Sequence, residues 1–374
     1  MYVDWFEFWS RFTANKKAII TAEDSQKYSF GQINKKSKQL CAFLLEAYNI
    51  NKGDRIGIIA ENCIEYIYLL SAAQKIGFII VPLNYRLTSY ETEQLLEDAS
   101  LSILIVEEKF KDNVPENFDS PLIPLHHFTS RLDKHSPLEE EYPEIEIEDP
   151  IFILYTSGST GKPKGVFYTH EMMLWNSVNT TVSLDIHSEV STVICMPPFH
   201  TGGWNVLLTP ILHHGGLCIL MKNFDSDKVL QLLSQYECTQ FMGVPTMLKM
   251  MSEKDIFEEI PLDKLNYILV GGEAMPMPLI KLYEKKGIYI RQGYGMTEVG
   301  PNLTSLHHSE AERKAGSIGK PNMYVEMKLV DPSGKEVERG NKGEICFRGP
   351  LVTPGYWNNK QATEKNIRNG WLHT

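Results

Sequence analysis

The chain predicts an α/β fold: two layered strand–helix parts followed by a small β-rich part. Three observations carry this. Short apolar runs alternate with helical stretches over residues 54–106, the alternation returns after residue 150, and from about residue 316 closely spaced turn pairs separate short segments. In the first part, residues 55–60 contain Ile-Gly-Ile-Ile, a buried-strand pattern. Asn62 then precedes a stretch with Ile64, Ile67, Tyr68 and Leu70 on one helical face, and Gly77 ends it. Residues 78–82 read as the next strand. Thr88 and Glu91 have the spacing of a capping box, and 102–106 is a further strand. Short apolar strands alternating with helices imply parallel pairing. In the second part, 193–196, 217–221, 241–244, 267–270 and 289–292 read as strands and 227–236 as a helix. Pro332-Ser333-Gly334, Arg339-Gly340 and Lys342-Gly343 then divide strands at 326–330 and 344–348, the pattern of a meander or small barrel. The aromatic cluster Trp5, Phe6, Phe8, Trp9 and Phe12 lacks a basic face, so it reads as a helix packed on the body rather than one lying on a membrane.

The 374 residues suffice for two or three subdomains with their own cores. A net charge of −10 argues against broad nucleic-acid binding, so a polyanionic ligand needs a local positive site. Six scattered cysteines without Cys-x-x-Cys spacing suit a reduced, cytoplasmic protein. The acidic N-terminus does not resemble a secretory leader, and the longest apolar stretch, 76–83, is too short to span a bilayer. Seven acids among residues 139–149 read as a solvated connector. No feature speaks to oligomeric state.

Residues 155–166 read Tyr-Thr-Ser-Gly-Ser-Thr-Gly-Lys-Pro-Lys-Gly-Val. Four Ser or Thr hydroxyls, three glycines and two lysines follow an apolar strand within twelve positions. Glycines let backbone N–H groups come close, hydroxyls donate, and lysines supply charge, which together suit a polyphosphate. Lys162 is followed by Pro163 rather than a hydroxyl, so this is not a Walker loop, and it is not a dinucleotide Gly-x-Gly-x-x-Gly turn. The string resembles the phosphate loop of the adenylate-forming superfamily: acyl-CoA synthetases, nonribosomal-peptide adenylation domains and beetle luciferases.

Further along, Tyr294-Gly295-Met296-Thr297-Glu298 offers an aromatic face for a base, a hydroxyl for a phosphate and a hard oxygen ligand for Mg²⁺. It resembles the superfamily's adenine, α-phosphate and magnesium segment. Gly271-Gly272-Glu273-Ala274 resembles the segment under the adenine ring. Pro197 to Trp204 resembles the acyl-pocket motif, which implies that His200 borders the reacting carboxylate, that Gly202 and Gly203 remove bulk and that Trp204 forms a wall. No Asp in that stretch could pair a substrate ammonium, which argues against an amino-acid substrate. The pairs His126-His127, His213-His214 and His307-His308 lack a Cys or acid at ligand spacing, so zinc is not expected there.

The resemblance implies ATP-dependent activation of a carboxylic acid, fatty or related, to acyl-AMP, then thioester formation with CoA. Thr156, Ser157, Gly158, Ser159, Thr160 and Gly161 would cradle phosphates, with Lys164 adding charge. Gly271, Gly272, Glu273, Tyr294 and Gly295 would hold adenine, Thr297 the α-phosphate and Glu298 the Mg²⁺. The expected organisation is the large N-terminal domain of such an enzyme. It comprises an α/β subdomain at 32–185, a second built from 1–31 and 186–310, and a distorted barrel at 311–374. The superfamily continues after Trp371-Leu372-His373-Thr374 with Gly-Asp and a small C-terminal domain, so poor turnover is expected of these residues alone. Transfer to a carrier protein, an aryl-acid substrate and a non-catalytic nucleotide- or acyl-binding module are the alternatives.

Overall fold

A computed structural model describes residues 3–138, 142–156 and 163–374. The chain forms two compact units. One comprises Met1–His170, Pro197–His200 and Leu220–Asn223; the other comprises Glu171–Met196, Thr201–Ile219 and Phe224–Thr374.

The first unit centres on a six-stranded sheet in the order Leu122–Pro124, Ile103–Val106, Arg55–Ile59, Ile79–Pro82, Pro150–Thr156, Lys164–Thr169. The first five run parallel and the last turns back antiparallel. The central strands are Ile- and Val-rich and almost wholly buried, as strands covered on both faces must be. Between Arg55–Ile59 and Ile79–Pro82 runs the helix Ile64–Ile76. It ends where Gly77 takes the left-handed conformation, φ 76°. The capping box forms as the spacing predicts: Thr88 N–H donates to Glu91 Oε2 (2.9 Å) and Glu91 N–H to Thr88 Oγ1 (3.4 Å).

The N-terminal helix Trp5–Thr13 packs on the body through Trp5 and Phe6, with Phe6 against Phe30 of the helix Phe30–Tyr48. Asp4, its cap, also accepts from the Lys75 ammonium at 2.5 Å, and the Lys75 side chain is 0% exposed. Burial pushes the Asp4 carboxyl up, against the pull of Lys75. Breaking a buried pair from one side leaves an uncompensated charge. Lys75→Ala should therefore cost about 3–5 kcal/mol in urea unfolding, while Lys75→Met combined with Asp4→Leu should recover most of it.

The second unit holds a five-stranded sheet in the order Gln240–Gly243, Tyr267–Val270, Tyr289–Met296, Gly300–Leu306, Lys320–Pro321. Its first three strands are parallel and the rest antiparallel. The turn-rich C-terminal part is a four-stranded antiparallel sheet, ordered Glu326–Val330, Glu344–Arg348, Trp371–His373, Ile367–Arg368. Among the described residues no strand pair closes it into a barrel. Phe347 and Leu372 from this sheet join Val299 and Leu303 in one buried cluster, against which Tyr294 and Met296 pack.

All six cysteines are free thiols, five of them buried. Among the described residues no helix is long and apolar enough to cross a membrane.

Candidate active site

In the first unit, Thr156 closes the strand Pro150–Thr156 and faces Lys164 across the antiparallel pair, donating its hydroxyl to the Lys164 carbonyl (3.4 Å). The two strands therefore deliver both ends of the glycine–hydroxyl segment to one edge. Ser157, Gly158, Ser159, Thr160 and Gly161 lie outside the described residues.

His200 is exposed in the same unit and packs at a tilt on Phe199, with ring centroids 4.6 Å apart. Phe199 is buried and meets Tyr85 at 5.2 Å; the Arg86 guanidinium lies 5.7 Å from the Phe199 ring. Partial desolvation of the imidazole and the nearby Arg86 charge lower the His200 pKa, favouring the neutral ring at pH 7. Sequence reading missed Arg86. Its one signal is a cation immediately after Pro82-Leu83-Asn84-Tyr85, where a buried strand ends.

The remaining predicted residues belong to the second unit. Val270 ends a buried strand, and Gly271 and Gly272 follow it. Gly272 has φ +82°, which a side chain would resist, while Glu273 and Ala274 are exposed. The Gln292 Oε1, buried in the next strand, accepts from Met275 N–H (2.8 Å) and fixes this loop to the sheet. Gln292 was not singled out from the sequence, since a polar residue at a strand end carries no signal of its own.

Tyr294-Gly295-Met296 is part of the strand Tyr289–Met296 rather than a turn beyond it. The ladder with Gly300–Leu306 continues through Tyr294, and the register shifts between Tyr294 and Met296. Such a bulge re-aims side chains. Tyr294 is half-buried and stacks on Phe347, centroids 6.1 Å apart. Thr297 opens a short 3-10 turn, Thr297–Val299, in which Glu298 is only 8% exposed.

Glu298 is held from two sides. Its carbonyl accepts from Thr353 N–H (2.7 Å), and its Oε1 accepts from the Tyr356 hydroxyl (3.0 Å). Asn366 Nδ2 in turn donates to that hydroxyl (3.0 Å). Burial and the Glu298 charge raise the pKa of Tyr356, so it stays a donor. No described residue donates to the other Glu298 oxygen. A single oriented carboxylate whose other oxygen meets no described donor fits Mg²⁺, which takes one or two carboxylates and completes its shell with phosphate oxygens and water. Among the described residues the one grouping of three metal-binding side chains is Glu344, Cys346 and His373.

Beside the glycines lies a cavity of about 190 Å³, within the second unit. Gly202, Gly271 and Gly293 line it together with Met196, Met242 and Leu269. Trp204 is buried at 1% exposure and is not among the described residues that line this cavity. Asn302 holds the cavity's frame: its Nδ2 donates to Thr180 Oγ1 (2.6 Å) and to the carbonyl of Val206 (3.1 Å). Helix His170–Leu184 and strand Gly300–Leu306 are thereby tied to the segment that carries Gly202.

Parallel strands with glycine-rich ends, a buried carboxylate in the turn after a bulged strand and a neighbouring apolar cavity fit a nucleotide- and acid-handling protein of the adenylate-forming class. The AMP-binding enzyme family matches residues 6–357, and the chain belongs to that family. It is 34% identical over 332 residues to a feruloyl-CoA synthase from Amycolatopsis sp, covering 88% of this chain and 67% of that protein. It is similar in structure to the N-terminal domain of FACL13 from Mycobacterium tuberculosis, with TM-score 0.93, 28% identity and coverage of 100% and 96% of the two chains. It is also similar to an O-succinylbenzoate coenzyme A synthetase from Bacillus subtilis in complex with ATP and magnesium ion. There the TM-score is 0.90 and the identity 29%, over 99% of this chain and 76% of that one. The chain thus spans about two thirds to three quarters of these acid–CoA ligases.

Proposed function

We propose that the protein activates a carboxylic acid with ATP and transfers the acyl group to CoA. The observation that carries this reading is Glu298: a carboxylate buried, oriented by Tyr356 and, among the described residues, with no donor on its other oxygen, one residue from the Thr297 hydroxyl. Family membership supports it, as does the naming of the relatives as CoA ligases.

A carboxylate is a poor electrophile. In the proposed reaction its oxygen attacks the α-phosphorus of ATP and pyrophosphate leaves, giving acyl-AMP. The CoA thiol then loses its proton and attacks the acyl carbonyl, and AMP leaves. Thr156, the glycine–hydroxyl segment 157–161 and Lys164 hold the β- and γ-phosphates. Thr297 contacts the α-phosphate. Tyr294 and the Gly271–Glu273 loop cover adenine, with Gly295 allowing the backbone to approach. Neutral His200 borders the acid and adds no charge that would compete for its carboxylate. A Mg²⁺ held through Glu298 would neutralise phosphate charge as pyrophosphate departs. Free cysteines and the lack of a membrane-spanning helix among the described residues support a cytoplasmic setting.

The test is to supply the full-length protein with ATP, Mg²⁺, a monocarboxylic acid and either CoA or a phosphopantetheinylated carrier protein. The reading expects equimolar AMP, pyrophosphate and acyl-CoA. A product formed only on the carrier would replace CoA as acceptor, and tight ligand binding without turnover would favour a non-catalytic module.

Tyr356→Phe tests the support of Glu298. Removing a partner that orients a metal ligand costs about 10–100-fold in metal affinity. The Mg²⁺ concentration giving half-maximal adenylation should rise by that factor, with the KM for the acid little changed. An unaltered Mg²⁺ requirement would remove Tyr356 from the account.

A further inference from the structure

The cavity beside Gly202 carries information about the acid itself. It measures about 190 Å³. A dry cavity of about 150 Å³ takes a benzene molecule, whereas drug-sized ligands occupy about 300–1,000 Å³. The space therefore suits one ring and a short linker, and it is smaller than an extended long-chain alkyl tail.

Its chemistry narrows the tail further. Among the described lining residues none is charged. Met196, Met242, Val244 and Leu269 supply apolar surface, and methionine adapts to a flat ring and makes favourable sulfur–aromatic contacts. The Asn302 amide N–H groups are occupied by Thr180, Asn205 and Val206. A second carboxylate on the tail would be desolvated there without a cationic partner, which is strongly unfavourable.

Gly202 keeps the space open. A Cβ built on it would meet only the Met242 methyl, at 4.0 Å. The missing side chain is therefore not demanded by the protein's own packing, and a larger residue would project into the cavity.

We infer that this site accepts a monocarboxylic acid whose tail is compact, uncharged and about the size of a single aromatic ring, with Gly202 setting the limit. The inference rests on the ligase reading above and deepens it. It sets the chain apart from the O-succinylbenzoate synthetase it resembles, whose named substrate carries a second carboxylate, and from enzymes of long-chain acids.

Adenosine sulfamoyl analogues of the acyl-adenylate separate the two claims, because their binding needs no turnover. Four tails are compared by calorimetry: acetyl, 3-phenylpropenoyl, hexadecanoyl and 2-succinylbenzoyl. The phenylpropenoyl analogue should bind at least about 100-fold tighter than either of the last two and clearly tighter than the acetyl analogue. Gly202→Val should weaken the phenylpropenoyl analogue by about 10–100-fold and the acetyl analogue by far less. Comparable binding of the hexadecanoyl or succinylbenzoyl analogue, no gain over acetyl, or indifference to Gly202→Val overturns the ring-sized pocket and leaves the ligase reading standing. Failure of every analogue to bind, acetyl included, overturns the ligase reading.

Discussion

Glu298→Ala is expected to lower adenylation by about 10²-fold or more in the full-length protein, the usual consequence of removing a preorganised electrostatic group. The side chain sits at 8% exposure, and Tyr356 fixes one of its oxygens at 3.0 Å. The charge is therefore placed before the nucleotide arrives. Glu298→Gln is the informative companion. It keeps a group that accepts from Tyr356 but carries no negative charge, so it should retain the stability of the parent and lose nearly as much activity as the alanine variant. Stopped-flow measurement of pyrophosphate release reads both. A glutamine variant with parental rates would assign Glu298 to packing and deny it the magnesium role.

Gly295→Ala should be as damaging, for a steric reason. A Cβ there would lie 2.1 Å from the Pro301 carbonyl oxygen and 2.2 Å from its carbon. Both are backbone atoms of the neighbouring strand and cannot swing aside. The strands Tyr289–Met296 and Gly300–Leu306 would have to part at the bulge that presents Tyr294 and Thr297. A loss of about 3 kcal/mol in urea unfolding is expected, with adenylation falling by about 10²-fold from misplacement alone. For stability alone, Gly271→Ala serves as the control, because its Cβ would meet only the Gly293 oxygen at 3.7 Å, an ordinary contact. Parental stability of Gly295→Ala would contradict the close approach.

Much of the architecture is legible from local chemistry. The strands Tyr267–Val270, Glu326–Val330 and Glu344–Arg348 have the bounds that their apolar runs and turn pairs predict. The Thr88–Glu91 capping box and the Gly77 stop are local and self-contained, so sequence alone suffices for them. Where a neighbour decides, prediction falls short. The strand predicted at 193–196 forms at Ser191–Ile194, because the run leads into Pro197-Pro198, which cannot donate to a ladder. The strand predicted to stop at Gln292 runs on to Met296 because Gly300–Leu306 turns back to pair with it.

The same distinction applies to the candidate site. Tyr294, Thr297 and Glu298 stand out as one short string with matched chemistry. Tyr356 lies 58 positions from Glu298, in a segment with no chemical signal of its own. Gln292 and Arg86 act through the loops and rings they touch, which only the folded chain brings within reach.

The central claim is that ATP is split between its α- and β-phosphates only when a carboxylic acid is present to attack. Exchange of labelled pyrophosphate into ATP by the full-length protein, across a panel of monocarboxylic acids, measures this directly. The account predicts exchange that requires both Mg²⁺ and an acid, rises most with ring-bearing monocarboxylates and collapses in Glu298→Ala. Exchange that proceeds equally without any acid, or none with any acid while ATP remains bound, would contradict it.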